Sequence, residues 1–87
     1  MSLILGSDFN LKAKSILKRM YIDSDGEEGA RVSVKDISEE LGIDKTEARN
    51  LFEYLESKKC LKIETLGGEY LYGHVSLTKK GLARSQK

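Results

Sequence analysis

The chain has 87 residues, 39% of them hydrophobic and none of them proline, which suits one small single-core domain over 1–87 and leaves no room for a second. Lys and Arg number 15 against 14 Asp and Glu, a formal net charge of +1, so bulk electrostatics exert no strong pull toward a polyanion and any nucleic-acid reading must rest on local placement. A single cysteine, Cys60, excludes an internal disulfide, and a single histidine, His74, leaves no transition-metal cluster, so no metal and no cofactor are expected.

The apolar opening "MSLIL" is too short for a secretory signal and lacks a basic flank or cleavage site, so a cytoplasmic protein is expected. Ser7 or Asp8 is placed to cap a helix in which Phe9, Ala13, Ile16, Leu17 and Met20 recur at helical spacing. That spacing predicts helix one over about residues 8 to 22. The next stretch, "DSDGEEG" from Asp23 to Gly29, is the main loop. Its acids alternate as in a calcium loop, but Glu28 stands where such a loop requires glycine, so a solvated loop is expected.

Ala30 to Val32 can form only a short strand, because Ser33 is placed to cap a second helix with Asp36 three residues on. Val34, Ile37 and Leu41 share one face of that helix, which runs to about Leu41. "LGID" then makes a tight turn whose Asp44 caps a third helix over about Lys45 to Lys58. There Ala48, Leu51, Phe52 and Leu55 fall at i, i+3, i+4 and i+7 and must face the core. At about 100° per residue, Thr46, Asn50, Glu53 and Ser57 point away from it, with Lys45 and Arg49 on one flank and Glu47 and Tyr54 on the other.

"LKIETLGGEYLYGHVSL" follows, two β-rich runs around Gly67-Gly68. A loop of Gly67, Gly68 and Glu69 pairs Leu61 with Val75, Ile63 with Gly73 and Thr65 with Leu71, gathering aliphatic residues on one face. Lys62, Glu64, Leu66, Tyr70, Tyr72 and His74 then face outward. Thr78 caps a short final helix, "KKGLARSQ".

Helix, short strand, helix, tight turn, helix and hairpin in this order resemble the winged helix-turn-helix family, particularly small prokaryotic transcription regulators. The resemblance is carried by "VSVKDISEELGIDKTEARNLFEYLESKKCLKI" and "VSLTKKGLA", covering most of Val32 to Ala83. It implies an α+β, mainly α, winged helix: a three-helix core with a short strand, a hairpin wing over 61–77 and a short C-terminal helix. One departure is Cys60, where the family commonly has a glycine ending helix three in the left-handed conformation, which implies a different cap. The cysteine itself reads as a small half-buried residue, since no second cysteine or activating histidine is near it in sequence.

The family resemblance implies that helix three enters the major groove of double-stranded DNA and that the wing lies beside the backbone. Thr46, Arg49 and Asn50 then meet base edges, Arg to guanine and Asn to adenine, while Glu53 accepts from cytosine. Phosphate contacts would come from Lys35, where a helix N-terminus also favours anions, and from Lys45, Lys62, His74, Lys79 and Lys80. Four acids, Asp44, Glu47, Glu53 and Glu56, lie in or beside the same helix and weaken nonspecific attraction. A winged helix serving protein–protein interaction without DNA binding is the alternative that these acids favour.

No nucleophile–base constellation and no glycine-rich phosphate loop occurs in the sequence, so the protein is not expected to be an enzyme. One winged helix offers few base contacts, which argues for a homodimer spanning two half-sites. Leu3, Ile4, Leu5 and Phe9, around the start of helix one, are the expected seam, because that leaves helix three and the wing free for DNA.

Overall fold

In the computed structural model the backbone is described for residues 2–68, 70 and 72–86, and the side chains for residues 9–68, 70 and 72–86. The elements are α1 (Ser2–Asp23), β1 (Arg31–Ser33), α2 (Val34–Leu41), α3 (Lys45–Ser57), β2 (Leu61–Leu66), β3 (Tyr72–Leu77) and α4 (Lys79–Ser85). The fold is α+β and mainly helical, with one three-stranded antiparallel sheet in the order β1-β3-β2.

Helix α1 begins at Ser2, about two turns earlier than its capping signals suggest. Ser7 and Asp8 lie inside it rather than at its end. Gly6, Ser7 and Asp8 are weak helix formers, each costing at most about 1 kcal/mol relative to alanine, and none breaks a helix as proline would. The segment Leu3–Leu5 therefore belongs to the helix. At the other end, Ser24 N–H donates to the Met20 carbonyl at 2.9 Å and Gly26 N–H to that of Tyr21 at 2.9 Å. Asp25 and Gly26 both take positive φ there.

Local capping chemistry sets the α2–turn–α3 unit. The Ser33 hydroxyl accepts from Asp36 N–H at 3.2 Å, and the Asp44 carboxylate accepts from Glu47 N–H at 2.8 Å. Between them Gly42 is left-handed at φ 67°, and Ile43 N–H donates to the Ser38 carbonyl at 2.9 Å, a Schellman closure that turns Ile43 into the core.

Helix α3 ends by the same closure with a different residue. Lys59, not Cys60, is left-handed (φ 62°); its N–H donates to the Glu56 carbonyl at 2.8 Å and Cys60 N–H to that of Leu55 at 3.0 Å. Cys60 follows the left-handed residue and is buried, the apolar position of the motif. The chain thus keeps the glycine-type cap without the glycine.

The hairpin register differs from the expected one by two residues. Leu61 pairs with Leu77, Lys62 with Ser76 and Ile63 with Val75, and irregularities between Ile63 and Leu66 bring Thr65 opposite His74 and Leu66 opposite Tyr72. Because the side-chain period along a strand is two, a two-residue slide keeps the same residues on the core face. Leu77 gains a place in the strand, and the connection grows to cover 67–71. Leu71, expected opposite Thr65, lies outside the described residues.

One core joins these elements. Ile16, Leu17 and Met20 of α1, Val34 and Ile37 of α2, and Leu51, Phe52 and Leu55 of α3 are buried with Leu61, Val75 and Leu77 of the sheet, and Ile63 packs against them half-buried. Helix α4 closes the end of this core. Thr78 caps it by accepting from Gly81 N–H at 3.1 Å and donates its own hydroxyl to the Lys59 carbonyl at 2.6 Å. Gly81 sits so close to the α3–β2 corner that a Cβ there would stand 1.8 Å from the Cys60 carbonyl oxygen.

Candidate nucleic-acid interface

Burial of Ala48, Leu51, Phe52 and Leu55 turns the opposite side of α3 outward, and Thr46, Arg49, Asn50 and Glu53 are all exposed, as is Lys45 on the flank. These five residues are brought together on the N-terminal two-thirds of one helix. Two shallow depressions adjoin Thr46. One, of about 440 Å³, is lined by Asp44, Lys45, Thr46 and Tyr70; the other, of about 330 Å³, by Phe9, Asp44, Thr46, Glu47 and Asn50. Both depressions touch the start of α3, at Asp44 and Thr46.

Each flank of α3 is braced by a distant part of the chain. On one side Glu47 accepts from the Lys12 ammonium of α1, and the Phe9 ring meets the Tyr54 ring edge-on, with centroids 5.1 Å apart. On the other, Tyr72 of the hairpin donates its hydroxyl to the Glu53 carboxylate, which also lies 3.9 Å from the Arg49 guanidinium. The Glu53 carboxylate, by accepting that hydrogen bond, holds the Tyr72 phenol above its ordinary pKa, with partial burial and the negative charges of Glu53 and Glu56 acting the same way and Arg49 opposing. Three of the four acids are thus engaged: Asp44 by capping α3, Glu47 by Lys12, and Glu53 by Tyr72 and Arg49.

Tyr70 and Tyr72 were expected to face outward, yet both are half-buried against the core. Their sequence spacing in the strand carries no signal of this, since the contacts depend on how the hairpin leans on α3.

The remaining predicted contact residues are dispersed. Lys35 is exposed in the first turn of α2, in a segment that also carries Asp36, Glu39 and Glu40. Lys62 and His74 are exposed on the sheet face opposite the core, and the His74 ring lies 3.1 Å from the Thr65 hydroxyl. On that face Glu64 accepts from the Ser76 hydroxyl at 2.6 Å and lies 3.9 Å from the Arg31 guanidinium. The Ser76 hydrogen bond holds the Glu64 carboxyl below its ordinary value, assisted by the charges of Lys62 and Arg31 and opposed by partial burial. Among the described residues, no hydrogen bond or ion pair joins Lys35, Lys62 or His74 to α3.

Of the expected dimer residues, Phe9 is half-buried against Tyr54 of its own chain. Leu3, Ile4 and Leu5 belong to the first turns of α1, and their side chains lie outside the described residues. Further along α1, Leu11 and Ile22 are exposed at 65% and 62%.

Among the described residues no group of three His, Cys, Asp or Glu is placed to hold a metal ion, and no helix is long and apolar enough to cross a membrane. No protein-family model, curated protein or solved structure matches the chain.

Proposed function

We propose that this chain is a winged helix-turn-helix protein that binds double-stranded DNA in a sequence-dependent way and acts as a transcription regulator, α3 entering the major groove and the β2–β3 hairpin lying on the backbone as its wing. The observation that carries this reading is the face of α3 on which Thr46, Arg49, Asn50 and Glu53 are all exposed, with the hairpin tied alongside through Tyr72 and Glu53. A helix presented this way has the width a major groove admits, and its side chains include the donors and acceptors that base edges match.

The acids on α3 do not defeat this reading. The Arg49–Glu53 pair is exposed and wide at 3.9 Å, and such pairs contribute about 0.2 to 1 kcal/mol. A bidentate contact of arginine with guanine discriminates by about 1 to 3 kcal/mol, so Arg49 is free to exchange partners on DNA. Glu47 faces α1 and has its charge met by Lys12.

A homodimer is part of the same reading, with Leu3, Ile4, Leu5 and Phe9 of α1 as its seam; Leu11, further along that helix, is exposed. A second reading, a winged helix that binds a protein partner, draws support from the exposed acids Asp44, Glu53 and Glu56 and the net charge of +1.

Selection of binding sites from a randomised duplex pool separates the two. The DNA reading expects an enriched motif, and Arg49→Ala or Asn50→Ala should lower affinity for it by about 1 to 3 kcal/mol per lost bidentate contact and relax one base position. An unenriched pool, or variants that bind as the unaltered protein does, would turn the assignment to the protein-partner reading.

A further inference from the structure

We infer that a cavity between α1, the C-terminal end of α3 and α4 binds a small organic anion with a flat apolar body, of the aryl carboxylate class. The cavity holds about 390 Å³, within the range of ligand pockets. Its wall is apolar: Ala13 and Leu17 of α1 and Tyr54 and Leu55 of α3, with the buried thiol of Cys60 beside them. Its rim is cationic. Lys14, Lys58 and Arg84, one from each of α1, the end of α3 and α4, line it together with the Asn10 amide.

Two features make this more than a dimple under surface lysines. Among the described residues no carboxylate lines the cavity and none of the three cations makes an ion pair, although Asp and Glu supply 14 of the 87 residues of the chain. Three like charges thus line one opening with no carboxylate partner among the described residues, and the low-dielectric wall beneath them focuses their field into the cavity. The second feature is the Tyr54 ring, over which the Lys58 ammonium stands 5.7 Å from the centroid. An aromatic side chain and a cation thus stand together in the lining of the cavity, where the ring offers apolar contact and the ammonium can turn to an anionic group. The site is separate from the exposed face of α3 and stands whether or not that face reads DNA.

The test uses the full chain with two probes of equal shape, sodium 2-naphthoate and the uncharged 2-naphthalenemethanol, followed by calorimetry and by amide NMR shifts. The carboxylate should bind about tenfold more tightly than the alcohol, the worth of a charge-assisted contact. Its shifts should gather at Ala13, Leu17, Tyr54, Leu55 and Cys60. Replacing exposed cations, Lys58→Gln with Arg84→Gln, should remove that tenfold preference for the carboxylate, and Lys14→Gln alone should reduce it should the double variant fail to fold. Equal affinity for both probes, no saturable binding of the carboxylate, or shifts centred on the outward face of α3 or on the hairpin would overturn the inference.

Discussion

Gly81→Ala is the substitution from which most can be worked out. The new Cβ would stand 1.8 Å from the Cys60 carbonyl oxygen and 2.9 Å from Leu77 Cδ2. The leucine methyl can rotate aside, but the carbonyl is backbone, so α4 must retreat by about 1.2 Å to reach the 3.0 Å that real Cβ contacts observe. Retreat strains two hydrogen bonds that dock α4: Thr78 N–H to the Cys60 carbonyl at 3.2 Å, and the Thr78 hydroxyl to the Lys59 carbonyl at 2.6 Å. Losing both costs about 2 kcal/mol. Overpacking adds about 1 to 3 kcal/mol, and the better helix propensity of alanine returns about 1 kcal/mol. A net loss of about 2 to 4 kcal/mol follows, a large share of the stability of so small a domain. Urea denaturation with linear extrapolation measures it through the midpoint at constant m. A variant as stable as the parent, or more stable through helix propensity alone, would refute the close docking of α4 on the α3–β2 corner.

Two further outcomes are expected. Because the folded-state pKa of Glu64 is depressed, its contribution to stability is present above its unfolded value and lost as pH falls through the folded one; Glu64→Gln should therefore cost stability near neutrality, with the difference closing in acid, and a pH-independent difference in Tm would contradict the Ser76–Glu64 arrangement. Sedimentation should report a dimer at micromolar concentration, and removal of residues 1 to 6 should yield a monomer with weaker DNA binding, whereas a monomer at every concentration before removal would dismiss the α1 seam.

How much of this was legible beforehand depends on how local the deciding interactions are. The α2–turn–α3 unit could be read almost residue by residue, because Ser33, Gly42 and Asp44 act on backbone groups within four positions of themselves. The start of α1 could not, since Ser7 and Asp8 carry the chemistry of a cap but sit where the helix simply continues. At the end of α3 a lysine occupies the left-handed position, and nothing in the residue type announces it. Apolar matching placed Leu61, Ile63 and Val75 on the core but left Tyr70 and Tyr72 outside it, and it cannot distinguish registers two residues apart. The outward face of α3 followed from helical phase alone. Its braces did not, because Tyr72–Glu53 and Lys12–Glu47 join residues 19 and 35 positions apart.

The central claim is that this surface binds duplex DNA, and titration of random duplex DNA over a series of salt concentrations tests it most directly. Neutralising Z phosphates gives a linear plot of log K against log salt with a slope of about −0.9Z, and losing one phosphate contact shallows it by about one unit. Such a line is expected for the intact chain and a shallower one for Lys62→Ala. Binding that is absent at low salt, or that does not change as salt is raised, would contradict it.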